Sequence, residues 1–166
     1  MTETSARAEF QVHEAAWPAA AAELRAVRQA VFVEEQGVPA ALEWDGRDAG
    51  CLHLLARDGA GRAVGTVRMS RDGHIGRMAV LAGHRRRGVG GALLTDLVER
   101  ARRAGLAAVH LNAQTSAEDF YRRHGFRPAG EVFLEAGIPH RAMTLLLRPS
   151  PLSIMEVETH QGRRMP

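Results

Sequence analysis

The sequence predicts an α/β (α+β) domain with a mixed, mostly antiparallel central sheet of about seven strands flanked by helices. Three short apolar segments between residues 51 and 80 are joined by tight turns, which is typical of antiparallel strands. Segments with helical spacing then alternate with strands, in the order β-α-β-β-β-α-β-α-β-β. With 166 residues and 45% hydrophobic content, the chain can bury one sizeable core. We expect a single domain over residues 1–149 and a solvated tail over 150–166.

The amino-terminal half begins with a strand and a helix. "EFQVHEA" alternates well enough for an edge strand, and Trp17 to Glu35 follows with apolar residues at helical spacing and Pro18 at a helix-initial position. Gly37 to Gly50 is rich in Gly, Pro and Asp, which predicts a long loop. "CLHLLARD" and "RAVGTVRMS" form a hairpin around "GAG", and "HIGRMAV" adds a third strand.

The carboxyl-terminal half contains the clearest helix. From Gly88 to Ala104 apolar residues recur at helical spacing, and Gly105 supplies the stop. "LAAVHLNA" is a strand, after which Thr115 and Ser116 stand at capping-box spacing before two acidic residues and start the helix "AEDFYRRH". "FRPAGEVFLEAGIPHRAMTLLL" then predicts two final strands.

Composition excludes several classes of protein. No apolar run approaches the roughly 20 residues that a membrane span needs, and the start lacks the apolar core of a signal peptide, so we expect a cytoplasmic protein without a membrane partner. All 22 basic residues are arginine, which excludes lysine autoacylation and Schiff-base chemistry. The arginines are spread among acids, so we expect no nucleic-acid partner. The scattered histidines and the single Cys51 predict no metal site and no internal disulfide.

The segment "HRRRGVGGALL", His84 to Leu94, places arginines and glycines directly before the clearest helix. Amides in a first helical turn form an anion site together with the helix dipole, and glycines let a bulky phosphate approach them. Arginine forks add bidentate donors, so the segment predicts a pyrophosphate ligand. No Gly-Lys-Ser/Thr follows, and the third glycine and the parallel βαβ context of a dinucleotide fingerprint are missing, so neither a P-loop nor a dinucleotide site is expected.

The same segment resembles the GCN5-related N-acetyltransferases, the GNAT family, whose motif Arg/Gln-x-x-Gly-x-Gly/Ala is matched from Arg85 to Gly90. "AEDFYRRHGF" resembles the family's later "A-x-x-FY-x-x-x-GF" segment, in the right order and about thirty residues further on. "VFVEEQGVPAALEWDGRDAG" resembles the ElaA-like branch and, more distantly, the acyl-homoserine lactone synthases. The resemblance covers roughly Phe10 to Leu147. It implies an acyltransferase (EC 2.3.1.-) that uses acetyl-CoA as cosubstrate.

The resemblance also assigns donor-binding residues by position. It implies that the backbone of Met78, Ala79 and Val80 pairs with the pantetheine arm and that the Val80 amide polarises the thioester carbonyl. Asn112 ends a strand at the expected site edge, where its amide either binds the pantetheine or the acceptor or caps the next turn. Gln114 stands where the family usually has Asn. The pyrophosphate is assigned to Arg85, Arg86, Arg87, Gly88, Val89, Gly90 and Gly91.

Tyr121 matches the family's general acid. A phenol with an unperturbed pKa of about 10 stays protonated at neutral pH and can protonate a departing thiolate, while the alternative is a tyrosine that only packs on the core. Glu35 closes the first helix beside the loop and is the candidate general base. It belongs to an acidic region whose members are Glu34, Glu35, Glu43, Asp45 and Asp48. This region either receives a cationic amine or is a solvated loop.

Three functions remain open at this point. The leading one is an N-acetyltransferase in which a primary amine of a small molecule attacks the thioester within a ternary complex. A second is a synthase of the lactone type that takes acyl groups from a carrier protein, although the well-formed pyrophosphate loop argues for free CoA. A third is a non-catalytic module that binds acyl-CoA, and the retained acid position argues against it. The oligomeric state is open, a homodimer included.

Overall fold

The computed structural model describes residues 9–147, which form one mixed sheet with helices packed on both faces. The strands are β1 (Phe10–Ala15), β2 (Leu52–Asp58), β3 (Ala63–Met69), β4 (His74–Val80), β5 (Ala108–Gln114), β6 (Arg127–Pro128), β7 (Phe133–Glu135) and β8 (Ile138–Leu146). The helices are α1 (Ala21–Arg28), α2 (Ala40–Glu43), α3 (Val89–Arg103) and α4 (Glu118–Arg123), and α1 continues as a π-helical segment over Gln29–Glu35. The expected tail over 150–166 lies outside the described residues.

The sheet has the order β1-β2-β3-β4-β5-β8-β6, with β7 also paired to β8. All of its pairs within residues 9–147 are antiparallel except β4 with β5. This confirms the predicted mixed, mostly antiparallel sheet. The described part of the chain has eight strands because the region expected to form two final strands forms three, with the short β6 and β7 both lying beside β8.

Helix α3 packs closely on the sheet because its apolar spacing faces β2 and β3. Leu93, Leu97 and Ala101 are fully buried in the main core. Gly65 of β3 permits the close approach, since a Cβ there would lie only 2.9 Å from Cγ1 of Val89. The beginning of α3 is therefore held at a fixed position against β3.

Two helix starts differ from the prediction. Pro18 lies in the turn before α1 and not, as expected from the sequence, in the first helical turn, because α1 begins only at Ala21. The capping box before α4 does not form: Thr115–Ala117 is a 3₁₀ turn, so the hydroxyls lie one turn ahead of the helix, and no side chain caps its first residue. Gly37 to Gly50 contains α2 and a 3₁₀ turn within the expected loop. No helix within residues 9–147 combines the length and apolarity needed to cross a bilayer.

Candidate active site

The main feature of the site is a cleft between β4 and β5. These parallel strands pair through His74 with His110 and Ile75 with Leu111, and no further pair joins them over their described length. β4 then continues to Val80 and β5 to Gln114 without a shared ladder. Apart from the Val80 carbonyl, which accepts from Arg85, backbone groups along the two carboxyl halves are therefore available to bond an extended ligand.

A β-bulge in β4 directs the backbone of this cleft. Arg77 has a left-handed φ of 53°, and the register with β3 shifts by one residue at this point. Beyond the bulge, the Leu81 amide donates to the Val64 carbonyl of β3 at 2.9 Å. Because successive residues of a strand alternate their backbone groups, the Val80 amide points the other way, toward the cleft.

The amino terminus of α3 is a second feature of the site. Gly88 caps the helix with a left-handed φ of 85°, a conformation that favours glycine, and no side chain bonds the first-turn amides. A Cβ on Gly88 would meet nothing within 4 Å, whereas one on Gly90 would lie 3.6 Å from Phe120 and one on Gly91 3.4 Å from His124. The space above Gly88 is open, so these amides and the helix dipole fit an anion such as pyrophosphate.

Arg85 and Glu35 are joined in a way that the sequence does not reveal. Arg85 donates from Nη1 and Nη2 to the two carboxylate oxygens of Glu35 at 2.6 and 2.5 Å, and from Nε to the Val80 carbonyl at 3.0 Å. The hydrogen bonds from Arg85 hold the pKa of Glu35 below its usual range. This geometry argues against both expected roles, because Glu35 is a weak proton acceptor here and Arg85 is directed at Glu35 rather than at a phosphate.

We expect the substitution Glu35→Gln to leave turnover with an amine acceptor within about threefold of wild type, because an exposed ion pair contributes little and no proton acceptor is lost. Steady-state kcat for acetyl transfer is the measurement. Glu34→Gln, which changes the exposed neighbouring carboxylate, serves as the matched control. A fall of about a hundredfold or more in the Glu35 variant alone would restore Glu35 as the base.

Tyr121 of α4 lies against the cleft strand β4 within apolar surroundings. Its hydroxyl is 3.7 Å from Sδ of Met78, and its ring packs edge-to-face on Phe120 and Phe126 with centroids 5.0 and 5.8 Å away. Removal of the hydroxyl from water raises the pKa of Tyr121 to about 12. The phenol therefore stays protonated at neutral pH and can act as a proton donor at this point.

Three carboxylates of the acidic region, Glu43, Asp45 and Asp48, are paired with arginines. Arg28 of α1, 1% exposed, donates from Nε to Glu43 Oε1 and from Nη1 to Asp48 Oδ1, each at 2.6 Å. Its guanidinium also lies over the Trp44 ring, 4.9 Å from the centroid. Burial raises the pKa of Glu43, against the hydrogen bond from Arg28. Since a buried charge left without its partner is costly, α1 holds this loop firmly in place.

Two strand arginines complete this network. Nη1 of Arg68 lies 2.9 Å from Oδ1 of both Asp45 and Asp48, while Arg77 reaches Asp45 Oδ2 at 3.2 Å and Glu43 Oε2 at 3.1 Å. Hydrogen bonds from Arg68 hold the pKa of Asp45 well below its usual range. The loop carboxylates are occupied by these arginines, which argues against the expected binding of a cationic amine to them.

On the face opposite Tyr121, β5 is linked to the end of α1. Gln114 donates from Nε2 to Gln36 Oε1 at 2.8 Å. Asn112, two residues earlier, is exposed and is paired in register with Ala142 of β8. Asn112 therefore lies on β5 two residues before the strand ends at Gln114, rather than at its end as expected, and the hydrogen bond between the two glutamines joins β5 to the residue that follows the π-helical segment.

Sequence reasoning missed one buried group near the end of β5, namely His140, which lies directly across from Gln114. No local motif marks this histidine, since its neighbours come from separate strands. Among residues 9–147 no cluster of three or more His, Cys, Asp and Glu side chains is placed to hold a metal ion.

The fold and the cleft together define a class of protein, the acyltransferases whose sheet opens between two parallel strands. The family described as "Acetyltransferase (GNAT) domain" matches residues 17–147. The chain belongs to this GNAT acetyltransferase family and is a transferase enzyme, which confirms the family and class predicted from its motifs.

Individual relatives agree with this assignment. "Uncharacterized N-acetyltransferase YjcF" of Bacillus subtilis is 43% identical over 121 residues, covering 70% of this chain and 86% of that protein. An acyl-CoA N-acyltransferase from Pseudomonas aeruginosa superposes with a TM-score of 0.72 at 30% identity, covering 81% of this chain and 98% of the other. ElaA of Escherichia coli superposes with a TM-score of 0.72 at 29% identity, with coverage of 81% and 98%. The similarity to ElaA agrees with the branch predicted from the amino-terminal segment.

Proposed function

We propose that this protein transfers the acetyl group of acetyl-CoA to the primary amine of a small molecule by direct attack in a ternary complex. One observation carries the proposal: the cleft between β4 and β5 is bordered by a helix terminus suited to pyrophosphate and by a protonated phenol. An anion site and an acid beside one cleft suit a donor that combines phosphates with a thioester.

The donor side uses mainly backbone groups. Acetyl-CoA supplies the activated acetyl group together with a pyrophosphate and an amide-containing arm. The amides of Val89, Gly90 and Gly91 hold the pyrophosphate at the start of α3, and the exposed Arg86 and Arg87 add positive charge. Arg85 instead links the loop before α3 to β4 through the Val80 carbonyl and to the π-helical continuation of α1 through Glu35.

The β4 backbone positions the reacting group. Met78, Ala79 and Val80 run along the cleft beyond the bulge, where an extended amide arm adds to the strand in the manner of a neighbouring strand. The Val80 amide, directed into the cleft, donates to the thioester carbonyl and stabilises the negative charge that develops there. Tyr121 then protonates the sulfur that leaves.

The acceptor enters from the opposite face, past the link between Gln36 and Gln114. The hydrogen-bonded glutamines lie across this entrance, which favours a slender primary amine over a lysine on a folded protein surface. Neither the lactone-type synthase nor a non-catalytic module has a structural observation in its favour. The acceptor class therefore rests on this link between the two glutamines.

A thiol-release screen tests the proposal directly. Acetyl-CoA is offered with aliphatic and aromatic amines, amino acids, polyamines and peptides, and release of free CoA is followed against hydrolysis without acceptor. We expect turnover with a small primary amine and formation of its N-acetyl product by mass spectrometry. Turnover only on protein substrates contradicts the small acceptor, and tight acetyl-CoA binding without turnover on any amine indicates a binding module.

A further inference from the structure

The proposed reaction lacks a proton acceptor once Glu35 is bound to Arg85. Seven polar or charged residues are buried in the described part of the chain, and six of them have evident structural partners. Five belong to the arginine network beside α1 or bond to it, and Thr66 donates to the Leu54 carbonyl. His140, 7% exposed, is the seventh, and the only hydrogen bond of its side chain within residues 9–147 is to the Ile138 carbonyl two residues earlier, so Nε2 has no hydrogen-bond partner there.

The position of His140 follows from strand register. It pairs with Gln114 on β5 and with Phe133 on β7, so these three side chains share one face of the sheet. Gln114 bonds Gln36 at the end of α1, which identifies this as the face opposite Tyr121. His140 therefore lies one strand away from the wall of the cleft, on the side from which the acceptor enters.

The contacts of His140 fix its tautomer and its orientation. Nδ1 lies 2.6 Å from the Ile138 carbonyl, and because a carbonyl only accepts, Nδ1 carries the proton and Nε2 holds the lone pair. The ring stacks on Phe133 with a centroid distance of 6.0 Å. Nε2 is 3.6 Å from Oε2 of Glu135, too long for a hydrogen bond but within ion-pair reach once the ring is protonated.

We infer that His140 is the general base of the reaction, with Glu135 stabilising the imidazolium that forms; this inference rests on the proposed function. Nε2 of His140 takes a proton from the amine nitrogen as that nitrogen bonds to the acetyl carbon. The carbon–sulfur bond then breaks, the electron pair leaves on sulfur, and the sulfur takes the proton of Tyr121. Water returns a proton to the tyrosine and removes one from His140, so the protein is unchanged at the end.

The charges around His140 support this role. Glu135 on β7 is a carboxylate within ion-pair reach of Nε2, and it also attracts an ammonium group toward the imidazole. Arg141, the next residue on β8, pairs with Glu118 at 3.5 Å, and as its neighbour on the strand it points to the opposite face.

Paired histidine variants test the inference, with acetyl-CoA as donor and the fastest amine of the thiol-release screen as acceptor. His140→Gln keeps a side chain of similar size without a proton acceptor. We expect kcat to fall by about 10²- to 10⁴-fold, with acetyl-CoA affinity near wild type. His110→Gln, on the same sheet face but outside the site, is the matched control and should retain wild-type kcat.

Chemical rescue separates a catalytic role from a structural one. His140→Ala leaves space for an imidazole, and we expect free imidazole to restore part of its turnover while leaving the wild type and His110→Ala unaffected. Full kcat in His140→Gln across the pH range overturns the inference, as does a loss that accompanies weakened acetyl-CoA binding and resists rescue. A wild-type protein that acetylates no amine overturns the proposed function, and the inference with it; an active wild type beside an active His140→Gln overturns the inference alone.

Discussion

Turnover of Tyr121→Phe is expected to fall by about 10²- to 10⁴-fold, the usual contribution of general acid catalysis, while acetyl-CoA affinity stays near wild type. Phenylalanine keeps the ring and its packing on Phe120 and Phe126 and removes only the hydroxyl beside Met78. The raised pKa of Tyr121, about 12, keeps the donor protonated throughout the neutral range, so the loss should be the same at pH 6 and pH 8. Single-turnover kinetics with the preferred amine measures the chemical step.

Two further measurements accompany this variant. The midpoint of thermal unfolding shows whether the core is intact, because within residues 9–147 the removed hydroxyl hydrogen-bonds only to the weak acceptor Sδ of Met78. Calorimetry with acetyl-CoA isolates donor binding from chemistry. Full single-turnover rates in Tyr121→Phe would show that water or another residue protonates the leaving thiolate.

Acetyl-CoA binding is expected to be lost in Gly88→Asp. The new carboxylate occupies the open space above the first turn of α3, where the dipole attracts it and where it repels the pyrophosphate. Two unit charges about 4 Å apart near a protein surface repel by about 4 kcal/mol, which corresponds to roughly a thousandfold in affinity. Isothermal calorimetry with acetyl-CoA gives the affinity directly.

The chain offers two matched controls for this variant. Gly88→Asn has the same backbone strain and nearly the same size without the charge, so it should lose less affinity than the aspartate. Gly105→Asp adds the charge at the other end of α3, where φ is also left-handed, at 80°, and a Cβ again meets nothing within 4 Å. It should bind acetyl-CoA like wild type. Unchanged affinity in Gly88→Asp contradicts the placement of the pyrophosphate.

The predicted features that the structure reproduces depend on residues close together in the chain. The spacing of Leu93, Leu97 and Ala101 identifies α3 because a helix repeats its contacts every few residues. Gly88 marks the start of that helix for an equally local reason, since its φ of 85° favours glycine. Short turns between β2, β3 and β4 likewise define antiparallel neighbours.

The features that sequence reasoning missed depend on pairs far apart in the chain. Glu35 meets Arg85 fifty residues later, and the acidic loop meets Arg68 and Arg77, so local composition indicated free carboxylates where the fold supplies partners. His140 carries no signal in the sequence because its environment is assembled from β5, β7 and β8. These pairs join segments that are distant in the sequence, so they depend on the tertiary fold and no single segment encodes them.

The short ladder between β4 and β5 has a consequence for how the enzyme holds together. Only two residue pairs join β4 to β5 in the described chain, and these connect the two halves of the sheet. When no ligand is bound, the backbone groups beyond these pairs must form their hydrogen bonds with water. A donor molecule that lies between β4 and β5 and hydrogen-bonds to both would connect the two halves of the sheet as an additional strand does. Since a ligand that binds only the folded state stabilises it according to its concentration, we expect the midpoint of thermal unfolding to rise with the concentration of the proposed donor.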